Sequence, residues 1–235
     1  MPKAVILAAG RGTRMKDLTI GTPKPMLKAG GRPILERLLE RLIEAGYSEA
    51  LIVTGYRAES IEDYFRDYRL PLHFLRQAPI DGTATAALLA RQFVGHDDFL
   101  LTFGDILTDA PRYREILDRL RHEPGAEAIL GVRDVDDPYR GAAVYVDGDG
   151  GVARIVEKPP RGESTTRWNS AGIYAVRASL FEELERVPKS SRGEYELTSA
   201  ISQLIVSGKL LRIFPIEGQW RDIGRPEDLE AAGNS

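Results

Sequence analysis

Cysteine is absent from the 235 residues, so the chain has neither disulfides nor thiolate chemistry. That absence suits a reducing cytoplasm, the expected location. Histidine is scarce. His73, His96 and His122 lie far apart, without metal-ligand spacing, and each is expected to be structural or on the surface. No apolar run approaches the ~18 residues a membrane span requires, so no membrane partner is expected. The opening MPKAVILAAG has only a short apolar part that runs into Gly10 and Arg11, unlike a secretory leader. Internal repeats, low-complexity linkers and a C-terminal hexapeptide array are missing. An excess of positive charge is missing too. The net charge is −3, which argues against wholesale nucleic-acid binding.

What is present is an ordinary globular composition, 43% hydrophobic and 29% charged, in a length that suits one α/β domain over residues 1–235. Short apolar runs at Lys3–Ala8, Ala50–Thr54, Leu72–Arg76, Phe99–Phe103 and Ala126–Val132 read as strands. Helical patterns separate them over Pro33–Ala45, Glu59–Tyr68, Thr83–Phe93 and Tyr113–His122. This alternation predicts a mostly parallel sheet with helices on both faces, and ligands at the carboxyl ends of its strands. The second half changes character. Ala142–Val146 and Val152–Glu157 flank a DGDGG hairpin turn, and Ser170–Val176 and Leu210–Pro215 read as further strands. Helices are expected over Tyr195–Val206 and Pro226–Ala232. The sheet is therefore expected to be mixed.

Charge concentrates in one place. Residues 1–32 carry seven lysines and arginines against Asp17 alone, on an otherwise acidic chain. A local cationic segment suits a small anionic ligand better than a long polyanion. The stretch LAAGRGTRM at Leu7 begins it and TPKPM at Thr22 continues it. Gly10-x-Gly12 after a strand invites a dinucleotide reading, but Met15 holds the third glycine position and no helix is expected there. No Gly-Lys-Ser/Thr follows, which excludes a Walker loop. An irregular loop to Pro33 is expected instead, and long structureless loops in compact domains are usually functional. Gly10 and Gly12 would let backbone N–H groups approach phosphate oxygens closely. Thr13 adds a hydroxyl, and Arg14 can fork onto two oxygens. Lys24 stands between Pro23 and Pro25, which hold the backbone extended.

These motifs, together with GD at 104–105, EKP at 157–159, AGIY at 171–174 and DIGRPEDL at 222–229, resemble the signature of the sugar-1-phosphate nucleotidylyltransferases. The resemblance implies a nucleotidyltransferase-type, Rossmann-like three-layer α/β/α sandwich with a mixed, mostly parallel central sheet. It implies a nucleotide-binding part over about residues 1–125 and a sugar-phosphate part over about 126–235. The implied reaction joins an NTP to a sugar 1-phosphate, releasing pyrophosphate, with Mg²⁺. Arg14 and Lys24 would be catalytic alongside Asp105, and Asp105 and Asp222 would be the metal carboxylates. Leu7, Ala9, Gly10, Gly12, Thr13, Gln77, Gly82 and Thr83 would line the nucleotide. Gly141, Glu157, Lys158 and Asn169 would line the sugar phosphate. Four departures stand out: Asn-Ser-Ala-Gly at 169–172 where relatives often show Asn-Ala-Gly, Arg140 where many have tyrosine before the glycine, GDI for GDN, and DIGR for DIGT. A side-chain amide plus a backbone amide can satisfy a pyrimidine edge, which favours dTTP or UTP. A mannose- or heptose-type guanylyltransferase is the alternative substrate reading.

Two rivals of another kind remain. Asp134-Val135-Asp136 spells the DxD pattern of metal-dependent glycosyltransferases, although Asp137-Pro138 following it suggests an acidic loop. A non-catalytic nucleotide-binding regulatory subunit is the other, disfavoured because such a protein needs no pair of metal carboxylates. The oligomeric state is open.

Overall fold

The computed structural model describes residues 2–233. In chain order the elements are β1 (Lys3–Leu7), β2 (Lys28–Ala29), β3 (Arg32–Pro33), α1 (Ile34–Glu44), β4 (Glu49–Thr54), α2 (Ala58–Tyr64) and β5 (Leu72–Arg76). There follow α3 (Thr83–Leu88), α4 (Arg91–Val94), β6 (Phe99–Phe103), β7 (Ile106–Thr108), α5 (Ala110–His122), β8 (Ala126–Asp134), β9 (Ala142–Val146) and β10 (Val152–Glu157). The chain then runs through β11 (Trp168–Val176), α6 (Leu180–Leu184), α7 (Leu197–Val206), β12 (Leu210–Pro215), β13 (Trp220–Asp222) and α8 (Pro226–Gly233).

Nine of these strands form one mixed sheet. Its first half, β5-β4-β1-β6, is parallel throughout. β11 runs antiparallel to β6 over Ile173–Val176, while its second residue, Asn169, pairs with Ala143 of β9. On its other side β11 pairs with β8, which carries β12 in parallel. The β9–β10 hairpin therefore lies on the same side of β11 as β6, beyond the carboxyl end of β6.

Alternation along the strands builds the two faces. On β1, Val5 and Leu7 point into a core shared with α3, α6 and α7, whereas Ala4 and Ile6 point into one shared with α1, α2 and α5. Ile34, Leu35, Leu38, Leu39 and Leu42 of α1 are fully buried. Burial of each contributes about 1.5–3 kcal/mol, so the amphipathic stripe holds this helix in place.

Several expectations need correction. The segment before Pro33 is not irregular: Thr13–Thr19 and Lys24–Met26 are 3₁₀ turns, and β2 and β3 form a small hairpin. The helix expected over 83–93 breaks into α3 and α4, and α2 ends at Tyr64 rather than Tyr68. β7 and β13, unforeseen, pair antiparallel as a separate two-stranded ribbon, with Asp222 opposite Ile106.

Candidate active site

The carboxyl ends of the parallel strands form one continuous rim. Gln77 follows β5, the glycine–arginine loop follows β1, and Gly104-Asp105 follows β6. Neighbouring strands lie ~4.8 Å apart, so Gln77 and the β1 loop, two strands apart, are separated by about 10 Å along the sheet.

The β1 loop is shaped by three close approaches. Gly12 has φ +64°, and a Cβ there would come within 2.8 Å of Lys24 Cβ, so only glycine lets the two turns stack. Thr19 Oγ1 also donates to Gly12 O at 3.2 Å. A side chain on Gly104 would crowd Pro25 and Ala8. Gly10, by contrast, faces open space, with its backbone exposed. Leu7 and Ala9 are buried. Their carbonyls are already engaged, by Gly104 N at 2.9 Å and Tyr56 N at 3.1 Å. Thr13 and Arg14 are exposed.

A third, small core explains where Arg14 sits. Met15, Leu27, Ala29 and Ile34 pack with Ile223 and Ala232, with Met15 and Ile223 fully buried. Met15 and Ile223 are the chain neighbours of Arg14 and Asp222, so their packing brings those two polar side chains to one spot. A Cβ on Gly224 would lie 3.5 Å from Asp222 Oδ1 and 3.9 Å from Arg14 Nη1, so glycine leaves the space between them clear. Asp228 Oδ2 accepts from the Gly224 and Arg225 amides at 3.0 and 2.7 Å, fixing the turn that follows.

Asp105 and Asp222 meet through the ribbon, where Ile223 N donates to Asp105 O at 3.0 Å. Lys24, almost fully buried, forms an ion pair with Asp105 Oδ2. Asp222 is exposed at its outer side, but partial desolvation of its carboxyl and the nearby Asp105 carboxylate push it up to about 6, against the lowering pull of Lys24 and Arg14. Two carboxylates that repel each other at a strand end are a donor set suited to a hard divalent cation. Among the described residues no third histidine, aspartate or glutamate completes an all-protein metal cage. Magnesium is commonly bound in this way, by one or two carboxylates with phosphates and water filling the remaining positions.

At the β5 end, Gln77 is buried and its backbone N–H donates to Thr54 O at 2.8 Å. Its side-chain Nε2 donates to Gly82 O and Thr85 Oγ1, both at 2.8 Å. Gly82 is held by packing. A Cβ there would fall 2.1 Å from Tyr195 O, inside the exchange in which Tyr195 N donates to Asp81 O and Ala84 N to Tyr195 O, both at 2.9 Å. Thr83 begins α3 as expected, and its Oγ1 accepts from Leu197 N at 2.8 Å, tying α3 to α7.

The four expected sugar-side residues also converge. Lys158 N donates to Gly141 O at 2.7 Å, and a Cβ on Gly141 would meet Asn169 Oδ1 at 2.4 Å. Asn169 Nδ2 donates to Ser170 O at 2.8 Å, while its Oδ1 is buried with no hydrogen-bond partner among the described residues. A buried acceptor without a donor is costly unless a ligand supplies one. Lys158 has φ +43°, a left-handed backbone that costs a non-glycine residue about 1–3 kcal/mol and is characteristic of functional sites. Burial holds the Glu157 carboxyl above the usual range despite Lys158 and Arg192. Ser170 Oγ and Tyr174 OH are hydrogen-bonded at 2.7 Å.

Sequence reasoning missed Arg192. It reaches Glu157 at 3.4 Å and Glu196 at 2.9 Å from the segment that also holds Tyr195 against Gly82. Its signal was present only in part: Arg192 opens an RGE tripeptide just before α7. Thr85 was missed because a threonine inside an alanine-rich helix carries no local mark. The DxD aspartates lie elsewhere. Asp134 and Asp136 are exposed, and Arg167 neutralises both at 2.7 and 3.3 Å. His73 rests against Glu49 and Phe93, and His122 against Asp118 O. No helix among the described residues is long and apolar enough to cross a membrane.

Comparisons with known proteins find relatives along nearly the whole chain. The nucleotidyl transferase family profile matches residues 3–235. The chain is 35% identical over 231 residues to the bifunctional protein GlmU of Methanococcus maripaludis, covering 98% of this chain and 53% of that protein. It thus spans about half the length of the first curated relatives it matches. It is also 35% identical to the UTP–glucose-1-phosphate uridylyltransferase AglF of Haloferax volcanii, covering 98% of this chain and 94% of that protein. Among solved structures, a UDP-glucose pyrophosphorylase complexed with UDP-glucose superposes with a TM-score of 0.89 at 23% identity, covering 100% of this chain and 97% of that one, and shows the shared fold. The UDP-glucose pyrophosphorylase from Acinetobacter baumanii gives 0.85 at 25% identity, covering 99% and 92%.

Proposed function

The chain belongs to the nucleotidyl transferase family, and on that premise we propose that it transfers a nucleotidyl group from UTP or dTTP to a sugar 1-phosphate, releasing pyrophosphate. The observation that carries this reading is the meeting of Arg14, Lys24, Asp105 and Asp222 at one strand end, from four separate parts of the chain. The nucleotide base lies toward Gln77 and Gly82, the triphosphate over Gly10, Gly12 and Thr13, and the sugar toward Gly141, Glu157 and Asn169. Leu7 and Ala9 contribute backbone and packing, and Thr83 the wall beside the base.

The sugar phosphate is largely dianionic near neutral pH, because a phosphate monoester's second pKa is about 6. It needs no base to activate it. Its oxygen attacks the α-phosphorus, a new P–O bond forms, and the bond to pyrophosphate breaks with the electron pair leaving on pyrophosphate. The difficulty is repulsion between anions. Lys158 draws the sugar phosphate in. Lys24 shifts part of its contact from Asp105 to the reacting phosphates. Arg14 neutralises the charge that develops on the leaving group. Asp105 and Asp222 would hold Mg²⁺, which when bound supplies further neutralisation of phosphate charge. Glu157 and the unpartnered Asn169 Oδ1 accept sugar hydroxyls and fix the attack angle.

The test is a matrix of NTPs against sugar 1-phosphates, scored by pyrophosphate release with and without Mg²⁺. Magnesium-dependent release with UTP or dTTP and one sugar 1-phosphate is the expected result. Release of NDP from an NDP-sugar without any release of pyrophosphate would overturn the assignment in favour of a glycosyltransferase. Nucleotide binding without turnover across the whole matrix would favour a regulatory subunit.

A further inference from the structure

The Gln77 carboxamide is surrounded on one side by groups that differ in what they can do. Its Nε2 lies 2.8 Å from Gly82 O, 2.8 Å from Thr85 Oγ1 and 3.4 Å from Asp81 Oδ1. A backbone carbonyl and an ionised carboxylate only accept. Turning the amide over would set Gln77 Oε1 against Gly82 O with no proton between them. The nitrogen therefore faces inward because of its neighbours' chemistry. Thr85 completes the arrangement. Its Oγ1 lies 2.6 Å from Asp81 Oδ1 and 3.0 Å from Gly82 O. A hydroxyl has one proton, and the shorter, charge-assisted contact to the carboxylate takes it. The lone pairs of Oγ1 are then left to accept the second Nε2 proton.

The outward side is the opposite. Gln77 Oε1 accepts no hydrogen bond among the described residues and keeps contact with solvent. Among those residues the Gly82 backbone N–H likewise donates to nothing. The protein thus presents an acceptor whose orientation is fixed, near a free donor.

We propose that Thr85 and Asp81 are positioning residues that set the choice of nucleobase, by holding the Gln77 carbonyl outward without touching the nucleotide themselves. The inference rests on the nucleotide reading of this site given above. An acceptor beside a donor complements an edge that shows N–H beside C=O, the imide edge of uracil and thymine. Guanine's lactam edge has the same pattern. Cytosine and adenine show a ring-nitrogen acceptor beside an amine, so the Gln77 carbonyl faces a lone pair. An amide free to turn would read both classes; Gly82 O opposes the turn, and the Thr85–Asp81 pair supplies the remaining inward contacts that hold the carboxamide against it.

The test measures equilibrium binding of UTP and CTP by calorimetry, without any sugar phosphate, in the full chain. Wild type is expected to bind UTP at least ~10-fold more tightly than CTP, since one buried polar group left unpaired is worth about that much. Thr85→Val should lower that ratio roughly five-fold or more. Thr85→Ser, which keeps the hydroxyl, should retain it. Asp81→Ala should lower it in the same direction, and provides the measurement if the valine variant does not fold. A ratio in Thr85→Val or Asp81→Ala equal to that of wild type overturns the proposal, as does a serine variant that behaves like valine or a wild type indifferent to the two bases. Because binding needs no acceptor sugar, a failure of turnover in the substrate matrix would sink the transferase reading while leaving this one standing.

Discussion

Two of this molecule's pairs of aspartates have opposite surroundings. Asp134 and Asp136 stand two residues apart, exposed, sharing one arginine. Asp105 and Asp222 stand far apart in the chain, yet a two-stranded ribbon sets them side by side, and although Asp222 still reaches the surface, partial desolvation and the adjoining Asp105 carboxylate push its carboxyl up to about 6. The first pair has the familiar spacing of a metal motif and the electrostatics of a solvated loop. The second has no spacing at all and the electrostatics of a site that needs a cation. Proximity in sequence is thus a poor guide to shared chemistry. Desolvation and uncompensated charge are a better one.

Mutation can break that comparison directly. Asp105→Ala is expected to reduce pyrophosphate release at least ~10³-fold with the fold retained by circular dichroism, whereas Asp134→Ala should stay within about two-fold of wild type. Equal losses would mean the two pairs had been assigned the wrong way round. Next in size is Arg14→Ala, expected to lower kcat by roughly 10²–10³. An unchanged kcat would remove the guanidinium from the leaving-group side.

Glu157 sharpens the contrast as a third acidic group, buried but not repelled by a like partner at a metal position. Burial raises its carboxyl, so the folded chain holds that proton more tightly than the unfolded one. Stability then falls as pH climbs from the ordinary glutamate value of 4.5 through the raised one, and Glu157→Gln removes that loss. The variant should therefore melt higher than wild type at pH 7 and show no advantage at pH 4, while KM for the sugar phosphate rises about ten-fold by loss of one hydroxyl acceptor. A lower melting temperature at pH 7 would show that Glu157 contributes stability through Lys158 and Arg192 instead. The smallest effect belongs to Arg167→Ala, an exposed pair expected to cost under ~1 kcal/mol in denaturant unfolding.

Much of this was legible beforehand, for reasons that differ by element. β1, β4 and β6 are nearly continuous apolar runs because helices cover both faces, whereas the edge strand β5 is half-exposed, and α1 carries its stripe in full view. Arg14, Lys24 and Asp105 fall in segments whose composition no ordinary connection requires. β7 and β13 escaped notice because three residues are too few to show a period. The 3₁₀ turns of the first loop depend on Gly12 stacking against Lys24 and on Met15 reaching a core that includes Ile223, contacts that exist only once both ends of the chain have met. Arg192 meets Glu157 only once the chain has folded, and Thr85, though its partners are sequence neighbours, sits among alanines with no mark of its own, so their types alone said little. The Met15 position, which disqualified a dinucleotide motif, is in the fold the anchor that holds Arg14 in place.

The ribbon that carries Asp222 also sets a schedule. Its second strand begins at Trp220, so a growing polypeptide can form nearly the whole sheet, the loop after β1 and the β9–β10 hairpin before Asp222 emerges. Met15 and Ile34 wait for Ile223 over the same interval. A nascent or clipped product that stops at residue 219 should adopt most of the architecture and still be unable to spend nucleoside triphosphate, because the segment that arms the centre is translated after the centre's other parts.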